Sequence, residues 1–117
     1  MSADPVADCL FCKILAGDLP AEIVSETEHT VAFRDINGQA PLHVLVIPRL
    51  HEPDIASLAL ASPEAAAALL VETRRVAGEA GHESYRLVFN TGAESGQTVF
   101  HAHGHVLAGR RLTWPPG

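Results

Sequence analysis

Apolar residues recur along this chain in two rhythms. Residues 30–34 and 42–47 are short, apolar and rich in β-branched side chains. Both predict strands, and the second, bounded by Pro41 and Pro48, reads as a central one. Residues 23–25 predict a strand before them, with Glu28 and His29 at the turn, and residues 85–90 another after them. Between these, helical spacing takes over. Ala66, Leu69, Leu70, Thr73, Val76, Ala77 and Ala80 form one stripe, which predicts a helix over residues 63–80 packed on the sheet. Ser62 supplies its N-cap, Pro63 its first position and Gly81 its stop. A shorter helix is predicted over residues 9–16, opened by Asp8 and ended by Gly17 with Pro20 beyond, and a brief helical turn over residues 55–60. Residues 1–7 read as a loose leader and residues 91–97 as a turn of small residues. The run Phe100-His101-Ala102-His103-Gly104-His105-Val106-Leu107 predicts the last strand. Hairpin-length connections imply an α+β domain: a mostly antiparallel sheet of about five strands with the long helix on one face and a short N-terminal helix.

Three histidines at alternate positions of a strand would share one face, their rings roughly 6.5–7 Å apart. Such a row can attack, exchange protons or bind metal near neutral pH, and an ordinary core has no need of it. The turn before it, Thr91-Gly92-Ala93-Glu94-Ser95-Gly96-Gln97-Thr98, offers backbone N–H groups that can converge on an anion, with Gln97 and Thr98 adding side-chain donors. A phosphate held there would lie beside His103, whose neutral imidazole could attack phosphorus directly.

Composition narrows the field. A chain of 117 residues with 47% hydrophobic content fits one domain with a modest core. The net charge of −6 argues against binding a nucleic-acid backbone, though not against a small phosphate ligand. Charged residues are only 19%, which predicts that part of the surface is covered by a partner subunit. No apolar run is long enough to span a membrane and no secretory signal opens the chain, so a cytoplasmic location is expected. There, the pair Cys9-Leu10-Phe11-Cys12 is expected to be reduced or metal-bound; on its own the CxxC leaves metal, redox and chance open. His29 and His82 are expected as exposed loop residues, and Asp54, Glu64 and the other acids as a solvated face.

The run from His101 to Leu107 resembles the signature of the histidine triad (HIT) family of nucleotide hydrolases and transferases. The resemblance extends through Phe11-Cys12-Lys13-Ile14, Ala32-Phe33-Arg34-Asp35-Ile36, Gln39-Ala40-Pro41-Leu42-His43, Val46-Ile47-Pro48-Arg49-Leu50-His51, Asn90-Thr91-Gly92 and Gly96-Gln97-Thr98-Val99-Phe100. The tail Trp114-Pro115-Pro116-Gly117 and the chain length are similar to the Hint branch, the nucleoside phosphoramidases. The resemblance implies one HIT domain over residues 1–117, with 109–117 as its tail, and a homodimer that extends the sheet. It implies hydrolysis of purine nucleoside 5′-phosphoramidates with release of the monophosphate. His103 matches the nucleophile, His105 the histidine on the scissile phosphate and His43 a histidine that orients the nucleophile. Asn90, Gly96, Gln97 and Thr98 match residues around the phosphate and leaving group. Asp35 matches the carboxylate that takes the ribose hydroxyls. Leu10, Phe11, Ile14, Leu19, Phe33 and Ile36 match the purine slot, with Phe11 and Ile36 the ones expected to touch the base. Trp114 matches a residue that reaches the neighbour's site. Cys9, Cys12, His51 and His101 match the ligands of a structural zinc, and no cofactor is implied for catalysis.

Gly104 stands where the family has a bulky apolar residue, and Ala102 is also small, which puts packing beneath the strand in question. Arg34 occupies a variable position. Rival readings are a dinucleoside polyphosphate hydrolase of the same family, a non-catalytic nucleotide-binding adaptor, and a metalloenzyme whose His-x-His pair holds a catalytic zinc.

Overall fold

The computed structural model describes residues 8–116, so the expected leader at 1–7 lies outside the described residues. Helix α1 spans Leu10–Ala16. Its N-cap is Cys9 and not Asp8: the Cys9 Sγ accepts from the Cys12 backbone N–H at 3.3 Å. Gly17 closes the helix in the left-handed region at φ 82°. Strands β1 (Ile23–Glu26) and β2 (Thr30–Arg34) form a hairpin whose turn is held by Thr27 Oγ1, which accepts from Thr30 N at 3.0 Å. Strand β3 runs Leu42–Pro48. Helix α2 (Ile55–Ala61) is capped by Asp54, whose carboxylate accepts from Ser57 N, so this acid is a structural group and not part of a solvated face. Helix α3 (Pro63–Glu79) starts as expected from the Ser62 hydroxyl, which accepts from Ala65 N at 3.1 Å.

Strand β4 is shorter than expected, Arg86–Val88, and the small-residue turn contains a 3₁₀ turn at Ala93–Ser95. Strand β5 covers only Gly104–Ala108. The expected histidine strand is therefore corrected: of the three alternate histidines, only His105 lies in a strand. The segment before it leaves the ladder because its polar groups have other partners. Ala102 N donates to Glu52 O at 2.7 Å, and the rings of His101 and His103 bond to main-chain carbonyls.

The sheet is five-stranded in the order β1-β2-β3-β5-β4, antiparallel throughout. All seven residues of β3 are buried because both faces of the sheet are covered there. On one face Ala32, Leu42, Val44, Val46, Val106 and Ala108 pack with Leu58, Leu69, Val76 and Ala77 of the helices. On the other, Val31, Phe33, Leu45 and Ile47 pack with Cys9, Phe11 and Cys12 around α1. In the β3–β5 register His43 pairs with Leu107 and Leu45 with His105. Cross-strand partners share a face. His43 and His105 thus sit diagonally on the α1 face.

Two glycines let the chain close up here. A Cβ at Gly104 would lie 3.0 Å from Leu87 and Phe89, which already fill the space beneath the strand; the packing question raised by Gly104 is answered by these two side chains. Gly109 takes φ +97°, and a Cβ there would meet Pro41 at 2.8 Å.

The stripe of α3 is also corrected. Leu70 is 47% exposed and Ala80 lies outside the helix, whereas Glu72 is buried. A buried carboxylate needs partners. Glu72 accepts from Ser25 Oγ at 2.6 Å across to β1 and from Arg75 Nε at 2.8 Å one turn on. Arg75 holds its carboxyl below the usual carboxylate range despite burial. That depressed value makes the ionised form a contributor to stability above the unfolded chain's carboxylate range, lost as pH falls through the folded value. Glu72→Ala should destabilise the fold by about 1–3 kcal/mol, since Ser25 loses its acceptor and Arg75 keeps only Glu79. Glu72→Gln should flatten the acid limb of a melting-temperature profile. Equal acid limbs in the wild type and Glu72→Gln would refute this account.

Candidate active site

Four ligand-type atoms converge where α1, the segment after β3 and the segment before β5 meet. The Cys12 Sγ lies 3.2 Å from His51 Nδ1 and 3.6 Å from His101 Nδ1; the Cys9 Sγ lies 3.6 Å from His101 Nδ1, and the two imidazole nitrogens are 3.0 Å apart. All four donor atoms fall within 4.8 Å of one another. Two sulfurs and two nitrogens at these separations match the edges of a tetrahedron with metal bonds of about 2.3 and 2.0 Å. The tautomer agrees. His101 Nε2 lies 2.8 Å from Pro48 O, so it carries the proton and leaves the Nδ1 lone pair facing the cluster. His101 is fully buried, and burial pushes its ring down to about 4. It is neutral at neutral pH, as a ligand must be.

The next histidine is held the opposite way round. His103 Nδ1 sits 2.8 Å from the carbonyl of His101, so Nδ1 bears the proton and Nε2 keeps its lone pair. Burial lowers the affinity of this ring for a second proton. Phe11 meets it edge to face at 5.0 Å and 89°. His103 Nε2 makes no hydrogen bond among the described residues.

The third tautomer follows from a chain of contacts. The Gln39 backbone N–H donates to His43 Nδ1 at 3.0 Å, so the His43 proton is on Nε2. That N–H faces His105 Nδ1 at 3.0 Å and Asp35 Oδ2 at 3.3 Å. His105 Nδ1 must therefore accept, which places the His105 proton on Nε2. The rings of His103 and His105 are 5.1 Å apart, closer than an ideal strand would put them. Burial, with the neighbouring His103 and His43, lowers His105 to about 4. Asp35, His43 and His105 also lie close enough to hold an ion. The bond from Gln39 argues against it: a metal on His43 Nε2 would need a proton on Nδ1, where another N–H already points.

Beside these rings lies a cavity of about 540 Å³ lined by Leu10, Phe11, Ile14, Leu19, Phe33 and Ile36, with Leu45 at its base and Asp35 at its edge. Every residue assigned to the purine slot faces it. Phe11 and Asp35 join the cavity to the histidines. Ile36 is 97% exposed at the rim. Arg34 lies at the same rim, paired with Glu22 at 2.6 Å.

The turn after β4 differs from expectation in one respect. Gln97 is buried and its amide is fully used: Oε1 accepts from Gly92 N, while Nε2 donates to Pro53 O and Val99 O. It shapes the turn and has no donor left to offer an anion. Gly96 lies against the Asn90 side chain. Thr98 is exposed and lines a second groove with Cys9, Leu10, His51 and Phe100; Leu10 lines both this groove and the cavity. Trp114 is 82% exposed. His29 and His82 are half-buried, with His29 Nε2 3.9 Å from Glu64. Sequence reading gave Gln39 only as part of a motif. Its contribution is a main-chain N–H, for which no residue type is a signal.

The HIT domain model matches residues 16–112. An uncharacterized HIT-like protein of Synechocystis sp. is 46% identical over 114 residues, covering 94% of this chain and 97% of its own length. A 14 kDa zinc-binding protein of Zea mays is 42% identical over 112 residues, covering 92% and 87%. Among solved structures, a HIT family hydrolase from Legionella pneumophila superposes with a TM-score of 0.89 at 45% identity, over 94% of this chain and 100% of that one.

The tautomers can be read by long-range ¹H–¹⁵N spectra of the imidazoles: protonated Nε2 in His43 and His105, protonated Nδ1 in His103. In the same spectra His105 should stay neutral until about pH 4. The unfolded ring takes its proton near the ordinary value of about 6.5. Its contribution to stability is therefore complete above that value and declines as pH falls toward the folded one. A His105 midpoint near 6.5, or a proton on its Nδ1, would contradict the relay.

Proposed function

This chain belongs to the HIT domain family, and on that premise we propose that it hydrolyses purine nucleoside 5′-phosphoramidates through a nucleotidyl-His103 intermediate. The observation that carries the reading is the carbonyl of His101 on His103 Nδ1, which leaves a neutral, unprotonated Nε2 as attacking atom. The nucleoside enters the apolar cavity with its base between Phe11 and Ile36. The Asp35 carboxylate accepts the ribose hydroxyls; Asn37 N–H occupies part of one oxygen, and a carboxylate has acceptor sites to spare. Asn90 and Gly96 flank the phosphate.

In the first step the Nε2–P bond forms and the P–N bond breaks. His103 becomes an imidazolium whose Nδ1–H stays on the His101 carbonyl. His105 Nε2–H donates to a phosphoryl oxygen, where negative charge builds. The departing amine leaves protonated, its proton given by Thr98 or relayed through a histidine and replaced from solvent. Water then attacks phosphorus and releases a proton to solvent, the Nε2–P bond breaks, the monophosphate leaves and His103 returns to its neutral form.

Cys9, Cys12, His51 and His101 suit a structural zinc. Bound, it would tie α1 to the segments that position His103 and contribute folding energy, with no ligand position left for substrate. Strand β4 pairs only with β5 among the described strands, and its free edge is where two copies join into one sheet. In that homodimer the exposed Trp114 reaches the neighbouring site and shapes the choice of leaving group. The domain spans the whole chain and works in the cytoplasm on a purine nucleotide, with neither nucleic acid nor membrane as partner; no described helix is long and apolar enough to cross a membrane.

His103→Ala should abolish turnover of an adenosine phosphoramidate, a loss of at least about 10³-fold for a missing nucleophile. Rapid-quench mass spectrometry of the wild type should find a nucleotidyl adduct on His103. Near-normal hydrolysis by the variant would remove the nucleophile from the scheme. Native mass spectrometry should count one zinc per chain, lost in Cys12→Ser. Chelation should lower the melting temperature while turnover persists in the folded protein. Turnover lost with the fold intact would point to a catalytic metal instead.

A further inference from the structure

The connection between β2 and β3 carries no reacting group, yet it decides which proton His43 presents. Its conformation is fixed internally by Asn37 N donating to Asp35 Oδ1 at 2.7 Å and by Gln39 Nε2 donating to Asn37 O at 2.8 Å. It is fixed externally by the chain that leaves β5. Gly109 lies directly against Pro41, and Arg110 Nε donates to Gln39 O at 2.9 Å. A second contact, Arg110 Nη1 to Arg111 O at 3.1 Å, sets the plane of the guanidinium. Arg110 forms no ion pair among the described residues; its hydrogen-bond partners there are these two carbonyls. A planar guanidinium with two directed bonds holds a carbonyl in place better than a flexible ammonium could.

We propose that Arg110 is a positioning residue, which holds the Gln39 carbonyl and so limits rotation about the Gln39 Cα, keeping the N–H of the preceding peptide on His43 Nδ1 and thereby setting the tautomer of His105. The bonds are consecutive: Arg110 to Gln39, Gln39 to His43 at 3.0 Å, His43 to His105 at 3.0 Å. Without the clamp, Gln39 N–H can leave Nδ1, and His43 can move its proton there. Its Nε2 would then turn a lone pair toward the Asp35 carboxylate, 3.3 Å away, and toward His105 Nδ1. His105 would answer by protonating Nδ1, and its Nε2 would present a lone pair where a donor is needed. An exposed arginine of the tail thus governs the polarity of a ring it never touches.

The variant that tests this is Arg110→Met, which keeps the aliphatic stem and removes every donor. The ¹⁵N signals of His43 and His105 should shift toward tautomer averaging, with those of His101 and His103 unmoved. Arg110→Lys should recover part of the shift, and Arg111→Ala should change nothing. The kinetic arm rests on the phosphoramidase reading: with an adenosine 5′-phosphoramidate as probe, kcat should fall roughly tenfold in Arg110→Met while KM changes less than about twofold. Unmoved His43 and His105 signals in Arg110→Met would overturn the clamp. So would a displacement of all four histidines together, which marks general loosening. A wild-type protein that does not hydrolyse the probe would overturn the functional reading alone, and the spectra would still decide the clamp.

Discussion

A neutral imidazole has one donor and one acceptor, so whatever binds one nitrogen dictates the other. The rest of this structure depends on that constraint. Three main-chain groups apply it: the Pro48 carbonyl to His101, the His101 carbonyl to His103 and the Gln39 N–H to His43. Three residues of one type become three different tools: one with its lone pair on Nδ1 facing the cysteines, one with its lone pair on Nε2, and one donating from Nε2. Backbone groups suit this task because the sheet and its connections already fix them, whereas a side-chain partner would bring its own rotamers.

The constraint holds only if the rings stay neutral. An imidazolium donates from both nitrogens: it would expel the Gln39 N–H from His43 and remove the lone pairs that His101 and His103 keep. Burial supplies the protection, since removing water disfavours the charged form. His101 and His105 are both brought down to about 4 by it. The two sheet faces divide the labour. Helix α3 and its apolar partners close one face, and α1 covers β2 and β3 on the other. His43 and His105 lie beyond its edge in the β3–β5 register. A slip of one residue between β3 and β5 would send His105 to the α3 side. The fold and the chemistry thus share one register.

Much of this was legible in the sequence because it rests on side-chain type and period. The β2 and β3 strands and the start of α3 follow from apolar spacing and caps, and the residues lining the apolar cavity and the cysteine–histidine set from the family resemblance. What escaped rests on the main chain. Alternation alone extended β5 back through His101, although the Ala102 N–H was already given to Glu52. Asp8 is a better N-cap by residue type, yet the Cys9 Sγ is the atom that lies over the first turn. Glu72 was hidden because its partners come from another strand and the next turn of its own helix. Gln97 looked like a donor to an anion, and only the bonds to Pro53, Val99 and Gly92 reveal an amide with nothing left to give. The resemblance placed the residues; the directions of their hydrogen bonds had to come from coordinates.

His101 ties the cysteine–histidine cluster to the second histidine of the three. Its ring offers Nδ1 to the cysteine–histidine cluster and Nε2 to Pro48, and its carbonyl holds His103. All three polar groups are committed, and the side chain is fully buried. Movement of α1 or of the segment after β3 would be felt at the His103 ring through one rigid residue, with no flexible side chain between to absorb it. Ala102, next in the chain, is also fully buried, and Gly104 lets Leu87 and Phe89 close directly against the backbone. The small residues between the histidines are therefore part of the same device. They let the backbone pack tightly enough that a carbonyl, and not a mobile carboxylate, can serve as the partner of His103. A carboxylate in that place would raise the basicity of His103 and favour its protonated, unreactive form. A carbonyl orients the ring at a smaller cost in reactivity.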